Sequence, residues 1–319
     1  MKSRKVPLQE VGDALTGTYD LFICSSSFED RCLSIVSNID VTTIKRACIV
    51  SNMDLLEYIG KNREAIEGIL GEKAHHVKIS TSDPLLTEDH LQTAIADIAD
   101  SADRILLDVT TFTHESLLIL IWLLRLYCRA AAITVVYAGA DEYSVGDEVE
   151  FKWLSRGIGE IRSVLRYPGN VLPSRKTHLI IIVGYEHERA AELINALEPH
   201  SIALGYGRSD TATTAKDQSA NERYMELVKQ MATSYSQIGT FEIPCDDPDG
   251  TCDEIVRQID LANGLNVLIS PMNNKLSTIG VAHAALKHED VQLCYAQALR
   301  YNYTAYSKPS DQCYIFEMK

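Results

Sequence analysis

The chain has 319 residues, 46 % of them hydrophobic and 23 % charged, with a formal net charge of −14. That length predicts about two domains with ample cores. The acidic balance argues against a surface that coats extended nucleic acid or anionic membrane, because both depend on many Lys and Arg contacts to phosphate.

In chain order, the opening residues Met1 to Gly12 are polar and mixed in charge, without the apolar run of a signal peptide, so the protein is expected in the cytoplasm. Short apolar runs then alternate with longer amphipathic ones. Strands are expected over 21–25, 47–51, 77–80, 105–109 and 133–137, with helices over 29–38, 55–70, 87–99 and 116–126 between them. The most apolar stretch, 116–127, is too short to span a bilayer and is interrupted by Arg125, so it reads as a buried helix. Apolar strands separated by helices predict a parallel sheet with right-handed crossovers.

The second half repeats the pattern. Strands are expected over 179–183, 202–205, 240–243, 267–270 and 291–295, with helices over 186–197, 221–234, 251–262 and 278–287. Leu21 to Val36 aligns on Leu179 to Ile194 without a gap, and Arg31 falls on Arg189. Near the end of each half, in that same register, Tyr137, Ala138, Ala140 and Tyr143 fall on Tyr295, Ala296, Ala298 and Tyr301. Two separate blocks holding one register predict an internal duplication. The expected fold is α/β: a Rossmann-like module over 1–156, a linker over 157–177 with Pro168, Gly169 and Pro173, and a second module over 178–319. Each half is expected to end in an extra strand, 149–154 and 313–318, and the halves to pair about a pseudo-two-fold axis.

Ligands of open parallel sheets bind beyond the carboxyl ends of the strands. Four polar segments are expected there. In the first, Ser25, Ser26 and Ser27 follow a strand and precede a helix, where free backbone N–H groups suit an anion; Ser26 and Glu29 also fit a capping box, and Arg31 lies one turn in. Its counterpart is Gly184, Tyr185 and Arg189, with Gly184 for close approach and Tyr185 for stacking on a base. The third runs from Asp108 through Thr110, Thr111 and Thr113 to His114, a dense polar cluster in which Asp108 and His114 are candidates for an acid–base pair. The fourth, Ser270, Asn273, Asn274 and Lys275, gathers amides and a cation before a helix and is the best anion-binding candidate. For the first two segments helix capping is the competing reading, for the third capping with a hydrogen-bonded turn, and for the fourth an exposed loop with a solvated Lys275.

Other motifs fail on spacing. His114-Glu115 lacks the second His of HExxH, and no GxxxxGK[ST] loop is present. Cys245 to Gly250 resembles part of a calcium loop but puts Cys245 first and Val256 twelfth, where Asp and Glu are needed. Gly205-Tyr206-Gly207 lacks the third Gly of a dinucleotide fingerprint, although Arg208 beside it is a candidate phosphate contact. The eight cysteines, Cys24, Cys32, Cys48, Cys128, Cys245, Cys252, Cys294 and Cys313, form no CxxC pair. They read as buried free thiols, with no metal and no cofactor expected.

Paired Rossmann-like halves with polar loops after the first and fourth strands resemble the CARF and SAVED sensor domains of prokaryotic antiviral systems. In that family those loops bind cyclic oligonucleotides. The resemblance places a site on Ser25 to Ser27 and Asp108 to Thr113 in one half, and on Gly184-Tyr185 and Ser270 to Lys275 in the other. It implies a sensor of a nucleotide or other phosphorylated small molecule. Because the chain carries no recognisable effector, a separate protein partner or self-association is also implied. The alternatives are a nucleotide hydrolase using Asp108 and His114, and a non-catalytic scaffold subunit.

Overall fold

The computed structural model of the chain describes residues 2–99, 102–144, 153–214, 218–235 and 237–318. In chain order the first half runs β1 (Arg4–Pro7), α1 (Val11–Ala14), β2 (Tyr19–Ser26), β3 (Ile44–Asn52), α2 (Leu56–Leu70), β4 (Ala74–Ile79), α3 (Pro84–Ala99), β5 (Arg104–Asp108), α4 (His114–Tyr127) and β6 (Ala132–Tyr143). There follow β7 (Ser155–Ser163), β8 (Thr177–Val183), α5 (His187–Leu197), β9 (Ser201–Gly207), α6 (Ala220–Met231), β10 (Ile238–Ile243), α7 (Pro248–Leu261), β11 (Asn266–Pro271), α8 (Lys275–Lys287), β12 (Gln292–Tyr301) and β13 (Ser307–Met318).

These elements form two α/β units. One comprises Ser3–Val145 and Tyr303–Lys319, the other Met1–Lys2 and Gly146–Asn302. The first holds a seven-stranded sheet in the order β1-β13-β6-β5-β2-β3-β4. The second holds a six-stranded sheet in the order β10-β9-β8-β11-β12-β7. Read from its other end, the second order runs β7, β12, β11, β8, β9, β10, which matches β13, β6, β5, β2, β3, β4 strand for strand. In each unit the five central strands are parallel and the sixth is antiparallel. The duplication legible in the sequence is therefore present in topology.

The sixth strand of each sheet comes from the other half of the chain. β7 follows the first half but pairs with β12, and β13 follows the second half but pairs with β6. This corrects the linear division. Residues 157–163 of the expected linker are strand, and 313–318 belong with the first half. The reason lies in packing: Ile158 and Ile161 of β7 rest on the six-stranded core, while Cys313 and Ile315 of β13 are part of the seven-stranded core. Ile158 and Ile161 are three apart, a spacing that puts residues of a regular strand on opposite faces. A bulge against Ala296 and Ala298 supplies the extra residue that lets both face inward. Most of the strand expected over 149–154 lies outside the described residues.

The central strands carry the cores. Leu21, Phe22, Ile23 and Cys24 of β2, and Leu179 to Val183 of β8, are wholly buried. Each such aliphatic side chain contributes about 1.5–3 kcal/mol. α4 is buried from His114 to Ile121, as its apolar sequence predicts. α8 is rich in small residues because α7 crosses closely: a Cβ on Gly280 would stand 2.7 Å from the Pro248 carbonyl oxygen.

The helix expected over 29–38 is absent. A 3-10 turn over Asp30–Leu33 and further tight turns replace it. Asn38 Nδ2 donates to the Ser34 carbonyl at 2.8 Å, taking an acceptor that a helix would use. The matching segment of the other unit is a true helix, α5.

Candidate functional site

In each sheet the order in which strands are added reverses between the first and fourth parallel strands, β2 with β5 and β8 with β11. Such a switch point opens a crevice at the strand carboxyl ends. All four polar segments picked from the sequence lie at these two places.

In the seven-stranded unit the crevice is spanned by Thr111, whose hydroxyl donates to the Ser25 carbonyl at 2.9 Å. Ser26 and Ser51 hydroxyls pair at 2.8 Å. Ser27 Oγ accepts from the Glu29 N–H at 3.2 Å, and its carbonyl accepts from Asn62 at 3.0 Å. The capping box expected of Ser26 and Glu29 does not form, and with no α-helix behind them the three serines lack a helix dipole. Asp108 Oδ1 accepts from the backbone N–H and the hydroxyl of Thr110, at 3.0 and 2.5 Å. Burial pushes the Asp108 carboxyl up to about 7, against the downward pull of the Thr110 bonds and the Arg31 charge. Thr113 caps α4 by accepting from the Ser116 N–H at 3.1 Å, and His114 is buried in its first turn.

In the six-stranded unit the corresponding span is made by Asn273, whose side-chain amide donates to the Val183 carbonyl at 2.6 Å and to Asn221 at 2.8 Å. Asn274 caps α8 by accepting from the Ser277 N–H at 2.8 Å. Its amide also donates to the Cys245 carbonyl and the Thr213 hydroxyl, at 2.9 and 3.1 Å. The two asparagines thus tie together loops that follow all four parallel strands from β8 to β11. A Cβ on Gly184 would stand 2.1 Å from the Met272 carbonyl oxygen, so the close approach that this glycine permits is to the neighbouring loop. Ser270 is buried at the end of β11, and Tyr185 packs against Tyr224 with ring centroids 5.2 Å apart. Lys275 is the first residue of α8 and is half-buried.

The two arginines have a different setting from the one expected. Arg31 is buried and bonds Glu29 at 2.7 Å, the Ser307 hydroxyl at 3.2 Å and the Ala138 carbonyl at 3.3 Å. Burial opposes its charge, but Glu29 together with Tyr143 and Tyr137 outweighs that and holds the guanidinium protonated. Arg189 is likewise buried and paired with Glu186, which also accepts from the Ser155 hydroxyl. Each guanidinium is thus already paired with a carboxylate. Residue type and register pointed to the arginines, and pairing of Arg31 with an acid was the competing expectation; the serines Ser155 and Ser307 went unnoticed because they come from strands distant in sequence.

Sequence reasoning also missed an aromatic ladder beside the serine loop. Phe28 meets Tyr303 and Tyr306 edge-on, with centroids 5.1 and 5.4 Å apart, and Tyr303 stacks on Tyr58 at 3.7 Å and 10°. Elsewhere, an open depression of about 170 Å³ lies beside Arg208, lined also by Asp210, Glu222 and Glu242. Its carboxylates disfavour a phosphate there. Among the described residues no cluster of His, Cys, Asp and Glu is arranged to hold a metal ion, and no helix is long and apolar enough to cross a membrane.

Sheet order and switch points together define a pair of doubly wound α/β units. No protein-family model and no curated protein matches the chain. Among solved structures, a universal stress protein from Archaeoglobus fulgidus aligns over 88 % of this chain and 96 % of its own, at 8 % identity and a TM-score of 0.27. A short-chain dehydrogenase/reductase, so described, from Sinorhizobium meliloti aligns over 71 % and 96 %, at 8 % identity and a TM-score of 0.25. Scores this low assign neither family nor ligand.

Proposed function

We propose that the chain is a binding protein for a nucleotide or another phosphorylated small molecule, taken at the strand carboxyl ends. The observation that carries this reading is the convergence at each switch point. Two polar loops meet there, and the later one runs into the first turn of a buried helix, α4 or α8, capped by Thr113 or Asn274. Such a turn favours a phosphate, and at α8 Lys275 adds a positive charge. The repetition of one topology in two units supports the further step that the chain is a CARF- or SAVED-like sensor. As such it would act with a separate effector protein in prokaryotic antiviral defence.

Calorimetry with linear and cyclic nucleotides tests the binding reading. A charge-assisted contact contributes about 1.5–3 kcal/mol, so Lys275→Ala is expected to weaken binding by roughly ten- to a hundred-fold. No binding by any member of the panel, or binding untouched by Lys275→Ala, defeats it. One observation favours a second reading, a nucleotide hydrolase: the Asp108 carboxyl, held near 7, titrates where a general acid or base works. Turnover by the wild type that is lost in both Asp108→Asn and His114→Ala would select it.

A further inference from the structure

We propose that Tyr58, Tyr303 and Phe28 form a stacking platform for the base of the nucleotide, which makes the ligand of the seven-stranded unit a nucleobase-bearing one. The inference rests on the binding reading above and adds the recognition of a planar ring.

The three rings come from separate segments that the fold brings to one edge. Phe28 directly follows Ser27 at the end of β2. Tyr58 lies in the first turn of α2, after β3. Tyr303 precedes β13, whose first residue Ser307 pairs with Tyr143 at the carboxyl end of β6. All three therefore stand at the carboxyl ends of the parallel strands, on the side where the Ser25 to Ser27 loop lies. Tyr303 is clamped between the edge of Phe28 and the face of Tyr58, which fixes the stack before any ligand arrives.

Tyr58 closes this stack at its outer end and is 48 % exposed. A tyrosine ring held parallel to another at 3.7 Å, and left half in water, offers its surface to a further planar ring. Stacking is indifferent to base identity because every base has a π-face. The ring is also pre-ordered, so little conformational freedom is lost on binding. The ladder continues inward through Tyr306 and Tyr143 to Arg31, whose guanidinium lies 5.2 Å from the Tyr143 ring centroid. The platform is thus braced by the buried Arg31–Glu29–Ser307 group. The six-stranded unit has an aromatic group in a corresponding place, where Tyr185 from the loop after β8 meets Tyr224 of α6.

The test is calorimetry of the full chain with AMP, GMP, CMP and UMP against ribose 5-phosphate, for wild type, Tyr58→Ala and Tyr58→Phe. Wild type is expected to bind at least one nucleotide about five- to a hundred-fold more tightly than ribose 5-phosphate, the range for one stacked base. Tyr58→Ala should remove that preference while leaving ribose 5-phosphate affinity unchanged, and Tyr58→Phe should keep it. Equal affinity for nucleotides and ribose 5-phosphate, or a Tyr58→Ala loss shared by both, would overturn the platform and leave the phosphate site standing. Binding of none of the five would overturn the platform, and the reading beneath it falls with it only if the cyclic nucleotides of the wider panel also fail to bind.

Discussion

The Ser307 hydroxyl donates to Glu29 at 2.5 Å, and the Ser155 hydroxyl donates to Glu186 from the equivalent place in the other unit. Each serine is the first residue of the antiparallel sixth strand, and each faces a register-matched tyrosine, Tyr143 or Tyr301. Each glutamate also pairs with a buried arginine, Arg31 or Arg189. A serine, a glutamate and an arginine thus fasten the sixth strand to the loop after the first strand, twice in one chain.

Removing one member of a buried charge pair strands the other, at a cost of about 3–5 kcal/mol. Arg31→Ala is expected to lower stability by that amount, and Ser307→Ala by about 1 kcal/mol. Denaturant unfolding of both variants and of Glu29→Gln/Arg31→Met gives the comparison. Should Arg31→Ala unfold like wild type, the group has no structural role.

A chain stopped after Asn302 retains the elements of the six-stranded unit and loses β13. β6 then presents an unpaired edge in the middle of what was a sheet. Amide exchange is expected to accelerate in β5 and β6 and to stay slow in β8 and β11. Unchanged protection of β6 would contradict the strand pairing.

The Asp108 carboxyl has a folded-state value of about 7 against 3.8 unperturbed. Between those values the folded chain holds a proton that the unfolded chain has lost, so stability falls as pH rises from about 4 to about 7 and is level above. At about 1.4 kcal/mol per pH unit the upper bound is on the order of 4 kcal/mol. Asn still accepts from Thr110 but does not ionise. Asp108→Asn is therefore expected to be more stable than wild type at pH 8 and closer to it at pH 4. Parallel pH profiles of the two proteins would expose an error here.

All eight cysteines are free and buried. Burial pushes Cys32, Cys245, Cys294 and Cys313 up to about 12 and Cys48 up to about 11. The thiolate is the nucleophile, so a disulfide reagent should label no cysteine in the native protein and all eight after denaturation. Rapid labelling of a single native thiol would mark a site that opens.

The parallel strands and most helices were legible because apolar runs and amphipathic periods are local properties of the sequence. Leu21 to Cys24 and Leu179 to Val183 announce buried strands, and the shared register of Tyr143 and Tyr301 announces the duplication. What was not legible depends on partners far along the chain. Nothing in residues 307–318 says which sheet will take them, and the three-residue spacing of Ile158 and Ile161 conceals a strand until its bulge is seen. Arg31 looked like a ligand contact because its sequence neighbourhood shows a cation but not the Ser307 and Ala138 oxygens around it. The serine loop looked like a helix start because Ser26 and Glu29 have capping spacing, whereas Ser27 makes the turn. The aromatic ladder was hidden for the same reason: Phe28, Tyr58 and Tyr303 become neighbours only when the chain returns to its first unit.

That return sets an order for folding during synthesis. The seven-stranded unit is begun before the six-stranded one on the ribosome, yet β13 leaves the exit tunnel after every strand of the six-stranded unit. Until β13 emerges, β6 lacks its neighbour and Glu29 lacks the hydroxyl of Ser307, whereas the six-stranded unit has its whole complement as soon as β12 emerges. Nascent chains held so that Asn302 has just cleared the tunnel and β13 has not should therefore show the later-made unit protected from protease and the earlier-made one still open, the reverse of the usual N-terminus-first sequence.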